Sequence, residues 1–307
     1  MTAGDPMQAP EVPPTKSASR TLAAPSAQAL RMAENAGRSG RRRAQVRYSF
    51  VERVSLENEV PPLARMLRGG GRGGQVRLKL YLSYLWVQRD DQARELSIRN
   101  GAWATLFDLN APQTAGARRI SDAQAWLEEN NFISIARTGR QNLVTVLSET
   151  GNGDPWIAPG AAAKKEKEEG LLGLGAVVHR YLQIPQTFWT RGHIAVLSGA
   201  GIAMFLALLA ENGGLQERAL WFSPREADTR FALSEDTRSK GLGELAAAGL
   251  ITTKRRPVNE SDFEADALHM RNVHYLHLDR LNETAEIKRR RVIRVTRKKA
   301  GASTEES

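Results

Sequence analysis

The chain has no cysteine among its 307 residues. That removes disulfide frameworks, thiolate zinc sites, iron–sulfur clusters and cysteine nucleophiles together, and makes a reducing, cytoplasmic setting the expectation. Aromatic residues are only 6% of the chain, too few for an extended base-stacking platform. Trp86, Trp103, Trp126, Trp189 and Phe188 fall mostly in stretches of helical spacing, where core positions are expected. No G-x-x-x-x-G-K-[ST], H-E-x-x-H or G-x-S-x-G occurs, so nucleotide loops, zincin helices and nucleophile elbows are missing. The histidines His274 and His277 stand three apart in an expected strand, which points them to opposite faces and away from a shared metal. Glu128 and Glu129 are adjacent on an expected helix and do not face each other. The sequence therefore predicts no enzyme, no cofactor and no metal.

Long apolar runs are also scarce. Ile194 to Ala210 is uncharged for 17 residues, but Ser198-Gly199-Ala200-Gly201 interrupts it, which favours a buried core helix over a membrane span. The N-terminus has no basic patch followed by an apolar core, unlike a secretory signal, and its Pro/Ala/Ser composition predicts a disordered arm.

What the chain has in excess is positive charge, +10 in total, and its location is uneven. Arg38 to Arg47 holds five basic residues and no acid, and Lys288 to Lys299 holds eight and no acid. Once these thirteen charges and the two acids of the last eight residues are set aside, and with residues 1–37 neutral, the body from Tyr48 to Ile287 carries a net −1. Basic arms of this kind neutralise phosphates without reading sequence, and their hold weakens steeply with salt. Arg41, Arg42, Arg43, Lys288, Arg289, Arg290, Arg291, Arg297 and Lys298 are the candidates for that contact. A solvated tail that aids solubility is the alternative.

The pattern of elements predicts an α+β, mainly helical protein. Residues 1–74 read as a disordered arm ending in a Gly-rich linker, because five glycines within Gly69 to Gly74 disfavour a helix or strand. Residues 75–150 read as a first folded unit. Its helices are expected across Val76–Trp86, Ala102–Phe107 and Arg118–Asn130, followed by strands Phe132–Ile135 and Leu143–Leu147 about a turn at Thr138–Gln141. Residues 151–178 are a linker with a charged helical stretch. Residues 179–282 repeat the order, with helices Gly201–Glu211, Pro224–Phe231 and Glu235–Ala248, the last N-capped by Ser234 and closed by Gly249. Strands Leu250–Arg255 and Val273–Leu278 complete this unit, and 283–307 is a basic tail.

Aligning RRISDAQAWLEENNFISIAR with DTRSKGLGELAAAGLITTKR places Leu127 over Leu245, Asn131 over Gly249 and Ile133 over Ile251. Both units resemble winged helix-turn-helix domains, and Leu245-Ala246-Ala247-Ala248-Gly249-Leu250-Ile251 carries the resemblance best. Two such units with basic arms are similar to initiator proteins of bacterial plasmid replication and to some dimeric transcription regulators. The resemblance implies sequence-specific binding of double-stranded DNA in replication initiation or transcription regulation. It also implies a nucleoid or plasmid location, a homodimer or a replication or transcription protein as further partner, and no membrane. A protein-interaction scaffold is the alternative it leaves open.

By that resemblance a recognition helix enters the major groove and a wing meets phosphate. Arg118 and Arg119 are then the candidate base readers, with Ser121 beside them. Gln124 is a further adenine-reading candidate, although it aligns with the apolar Leu242. Arg137 and Arg140 flank the first wing. In the second unit Thr237, Ser239 and Lys240 face outward and Lys254 and Arg255 begin the wing, while Arg238 stands where Ile120 does in the first. The second wing loop carries Glu260, Asp262, Glu264 and Asp266, which repel a phosphate backbone, so the second unit is expected to contact DNA less fully or to meet a protein.

Overall fold

The computed structural model describes residues 21–53, 60–68, 72–138, 141–170, 179–213, 218–257 and 270–288. It is an α+β protein whose sheets are small and antiparallel. One order of elements occurs twice. The first copy is strand β2 (Arg43–Arg47), short helices α2 (Tyr48–Val51) and α3 (Pro62–Leu67), and the long helix α4 (Arg72–Val87). It continues through α5 (Asn100–Leu106), α6 (Ala115–Glu129) and the hairpin β3 (Ile133–Thr138) and β4 (Gln141–Val146). After the linker helix α7 (Pro159–Glu168), the second copy is β5 (Tyr181–Pro185), α8 (Thr187–Thr190), α9 (His193–Val196) and α10 (Gly199–Asn212). Then follow α11 (Pro224–Phe231), α12 (Glu235–Ala247) and the hairpin β6 (Ile251–Pro257) and β7 (Met270–Leu276).

The correspondence extends to single residues. An isolated bridge ties the segment after each long helix to its hairpin, Leu96 to Val144 and Leu220 to His274. Phe50 stacks on Tyr81 at 5.6 Å between ring centroids, and Phe188 on Phe205 at 5.0 Å, each pair joining a short helix to its long one. Asp108 and Ala232, the non-glycine residues just after α5 and α11, both have positive φ. Leu127 and Leu245 are fully buried, as are their companions Phe132 and Leu250.

The copies are joined, not merely strung together. β2 and β5 pair antiparallel about a central Gln45–Gln183 pair, with Arg43 opposite Pro185 and Arg47 opposite Tyr181. Equivalent strands paired through equivalent residues set the copies about a local twofold axis. Trp86 and Trp189 stack across this seam at 4.8 Å. Their indole N–H groups donate to the Arg41 carbonyl at 3.1 Å and to Ser83 Oγ at 2.9 Å. Tyr48 donates its hydroxyl to the Ala210 carbonyl, and one contiguous apolar core runs through both copies.

Three expectations need correction. The described part of residues 1–74 is folded: it contains β1 (Thr21–Ala23), α1 (Ala27–Gly37) and the elements β2 to α3. Helix α1 is capped by Ser26, which also donates to the Asp108 carboxylate and so ties the segment to the end of α5. The Gly-rich stretch is in part helical, because α4 starts at Arg72 and takes in Gly73 and Gly74. Gly74 is needed there because a Cβ would lie 2.8 Å from the Met66 carbonyl oxygen, so the glycine lets α3 and α4 approach closely. At the other end the fold continues past residue 282: Ala285 is buried, and β8 (Ile287–Lys288) pairs with β1.

Candidate nucleic-acid interface

Helix α6 packs on α4 and α5 through Ile120, Ala123, Gln124 and Leu127, all buried. Its outer face therefore presents Arg118, Ser121, Asp122, Ala125 and Glu129, the i, i+3, i+4 set opposite the apolar stripe. The first turn holds no acid. Arg118 and Ser121 are exposed as expected, and Arg119 is half-buried at the edge of the face. Gln124 does not belong to this face. It is 3% exposed and donates its amide N–H to the Tyr84 hydroxyl at 2.8 Å, so it fills the core position that Leu242 fills in the second copy. Beside the helix, the exposed Arg137 on β3 lies 3.7 Å from Glu128, whose carboxylate also accepts from the Ile135 backbone N–H and braces the hairpin against the helix. Arg140 lies outside the described residues.

Helix α12 is arranged differently. Ser234 caps it by accepting from the Thr237 N–H, and Glu235 and Asp236 occupy its first turn, where carboxylates suit the helix dipole. Thr237 is half-buried and its hydroxyl bonds Ser234 Oγ; Ser239 is exposed. Lys240 is exposed but donates to Asp236 Oδ2 at 2.7 Å. The end of α12 equivalent to the Arg118 end of α6 is therefore acidic. Arg238, which replaces the core Ile120, is half-buried with its guanidinium near the Phe222 carbonyl.

The described residues of the two basic segments are only partly available for phosphate. Arg41 is a structural residue: its guanidinium donates to the carbonyls of Gln88 and Asp90 and lies over the Trp156 ring. Arg43 is exposed on β2 and donates to Gln183 Oε1 of β5, while Arg42 is exposed. Arg47, in the same run, is buried in an ion pair with Glu149, and burial, opposed by that arginine, raises the Glu149 pKa. Lys288 is exposed on β8, 2.8 Å from Glu286. Arg289, Arg290, Arg291, Arg297 and Lys298 lie outside the described residues, as does the acidic loop with Glu260, Asp262, Glu264 and Asp266.

The second hairpin gathers more than its sequence announced. Lys254, Arg255 and Arg256 are exposed along β6, and Arg271 joins them from β7. Arg271 lies over the ring of Trp221, which is 42% exposed, and Lys254 lies over Tyr275. Leu220, Trp221 and Phe222 are buried, exposed and buried in turn, an alternation that three consecutive apolar residues do not show in the sequence. Arg271 and Tyr275 depend on cross-strand register, which the sequence does not specify across a long loop. His274 and His277 do not converge: each bonds a different threonine, Thr253 and Thr252. Burial, with Arg238 adding to it, lowers the His274 pKa.

Among the described residues no group of histidines and carboxylates is placed to hold a metal, and no helix is long and apolar enough to cross a membrane; Ile194 to Ala210 is broken between α9 and α10. Comparison with protein-family models, with characterised proteins and with solved structures returns no match.

Proposed function

We propose that the chain is a duplex-DNA-binding protein built from two fused winged helix-turn-helix units, acting in replication initiation or transcriptional control. The observation that carries this reading is the order of long helix, bridge, helix, helix and hairpin found twice, with an outer face of the third helix in the first copy that exposes Arg118 near its start, where the first turn holds no acid, while Arg137 is exposed on the hairpin that follows. A helix presented this way fits the major groove, with the hairpin reaching the flanking phosphates. In the second copy Asp236 aligns with Arg118, and Glu235 precedes it, so the first copy supplies base contacts and the second holds the duplex less fully. The same two acids favour the second reading, in which α12 docks a protein.

Selection from a random duplex pool, followed by titration at several salt concentrations, tests the proposal. Arg118→Glu should weaken the selected site by tenfold or more, within the ~1–3 kcal/mol range of a base-reading arginine, whereas Lys240→Glu should change it less than about threefold, the scale of an exposed ion pair. No duplex binding even at low salt overturns the reading. Equal losses for the two variants overturn the asymmetry.

A further inference from the structure

We propose that Trp221 and the second hairpin form a site for the unpaired bases of a single-stranded nucleic acid, separate from the surface of α6. Four of the six tryptophans, Trp86, Trp103, Trp156 and Trp189, are buried, and Trp126 is half-buried. Trp221 alone among them is placed outward, and strand geometry does this. Leu220 is bridged to His274 and Phe222 is buried, so the intervening side chain must take the other face of the hairpin.

That face is defined by register. Thr252 opposes Tyr275, Lys254 opposes Val273 and Arg256 opposes Arg271, and cross-strand partners share a face. It therefore collects Lys254, Arg256, Arg271 and Tyr275, with Trp221 alongside. Two cation–ring contacts order it: the Arg271 guanidinium is 5.2 Å from the Trp221 ring centre, and the Lys254 ammonium is 5.3 Å from that of Tyr275. The described residues of β6 and β7 contain four cations, Lys254, Arg255, Arg256 and Arg271, and no acid.

An exposed indole carrying an arginine on a strip of positive charge matches one ligand chemistry in particular. The π-face of a base stacks on the ring or the guanidinium, and the adjoining phosphates meet the lysine and arginines. A duplex satisfies only the second half, because its bases already stack on each other. The four cations of the strands are equalled in number by the four acids Glu260, Asp262, Glu264 and Asp266 of the sequence between them, so the exposed ring, and not the net charge, selects the ligand. The proposal does not rest on the duplex reading of the first copy.

The test uses the full chain with fluorescein-labelled dT12 and rU12, followed by anisotropy and by tryptophan emission. Binding should quench part of the emission in wild type and none of that part in Trp221→Phe. Trp221→Ala should weaken the oligonucleotide about tenfold, the scale of losing one stacked base, while Trp221→Phe retains most of the affinity. Arg271→Ala should weaken it as well. Whichever of dT12 and rU12 binds more tightly identifies the strand. Arg118→Glu should leave these affinities unchanged, so failure of the duplex reading and failure of this one are separable. Wild-type affinity in Trp221→Ala, with an unchanged melting temperature, overturns the proposal. So does an iodide-quenching profile of the free protein that Trp221→Phe does not alter, which would mean the ring is covered by the chain itself. Displacement of dT12 by polyglutamate at equal charge concentration would assign the face to an acidic protein instead.

Discussion

Lys79 has its whole side chain inside the protein, where its ammonium donates to the Ala195 carbonyl at 2.8 Å across the seam between the two copies. Burial pushes its pKa down to about 7; Arg119 pushes the same way, and Glu244 and Asp108 oppose. His193 lies on the second copy's side of that seam, and burial lowers its pKa to about 4 against the partial support of the Glu283 and Leu281 carbonyls. Both groups hold fewer protons folded than unfolded, so both make stability rise with pH. For Lys79 the window runs from pH ~10.4, the unfolded value, down to 7, and for His193 from ~6.5 down to 4. Urea unfolding followed across pH 4.5–9.5 should show a slope approaching ~1.4 kcal/mol per pH unit in each window. Lys79→Met, which conserves volume, should abolish the alkaline slope, and His193→Gln the acidic one. A flat alkaline profile in wild type would mean that Lys79 is charged inside the fold.

The ends of α6 and α12 show how far a local signal reaches. Asn131 has φ +61° and Gly249 φ +73°, each just past its helix. Phe132 and Leu250 donate to the carbonyls of Leu127 and Leu245, both at 2.9 Å, while Asn131 and Gly249 donate to those of Glu128 and Ala246. This is the paired-bond ending that a left-handed residue permits. A Cβ on Gly249 would meet nothing within 4 Å, so Gly249→Ala should cost only the left-handed backbone penalty of ~1–2 kcal/mol. Asn131→Ala should cost less, because asparagine already bears part of that penalty, and Asn131→Gly should stabilise slightly. Chemical denaturation of the three variants measures these differences, and an unchanged Gly249→Ala would remove the argument. Such endings were legible in the sequence because caps, helical spacing and hairpin alternation are all set within a few residues. Neither β2 nor β8 was, since five- and two-residue strands acquire meaning only from partners far along the chain. Gln124 misled for the same reason: its polarity pointed outward, and only the Tyr84 hydroxyl, 40 residues away, accounts for it inside. On the outer face of α6 Arg118 and Ser121 were readable, whereas the Trp221–Arg271 pair emerged only once the register of β6 and β7 was known.

At the scale of the molecule, the strand pair β2–β5, the Trp86–Trp189 stack and the bonds from Tyr48 and Lys79 all cross from one copy to the other. A chain of two independent domains would place its apolar residues in two cores, but here the apolar core is continuous. The copies therefore stabilise each other, and damage at the seam should be felt in both. Trp189 is completely buried, stacks on Trp86 and donates to Ser83. Trp189→Ala removes a large side chain from a packed site and should cost ~3–5 kcal/mol. Hydrogen exchange followed by mass spectrometry on the folded variant should show protection falling in α4 and α6 of the first copy about as much as in α10 and α12 of the second. Urea unfolding read by far-ultraviolet circular dichroism and by tryptophan fluorescence should remain a single coincident transition. Loss of protection confined to the second copy, or two separated transitions, would instead describe two modules that touch without sharing their stability, and each would then be able to grip or release a partner on its own.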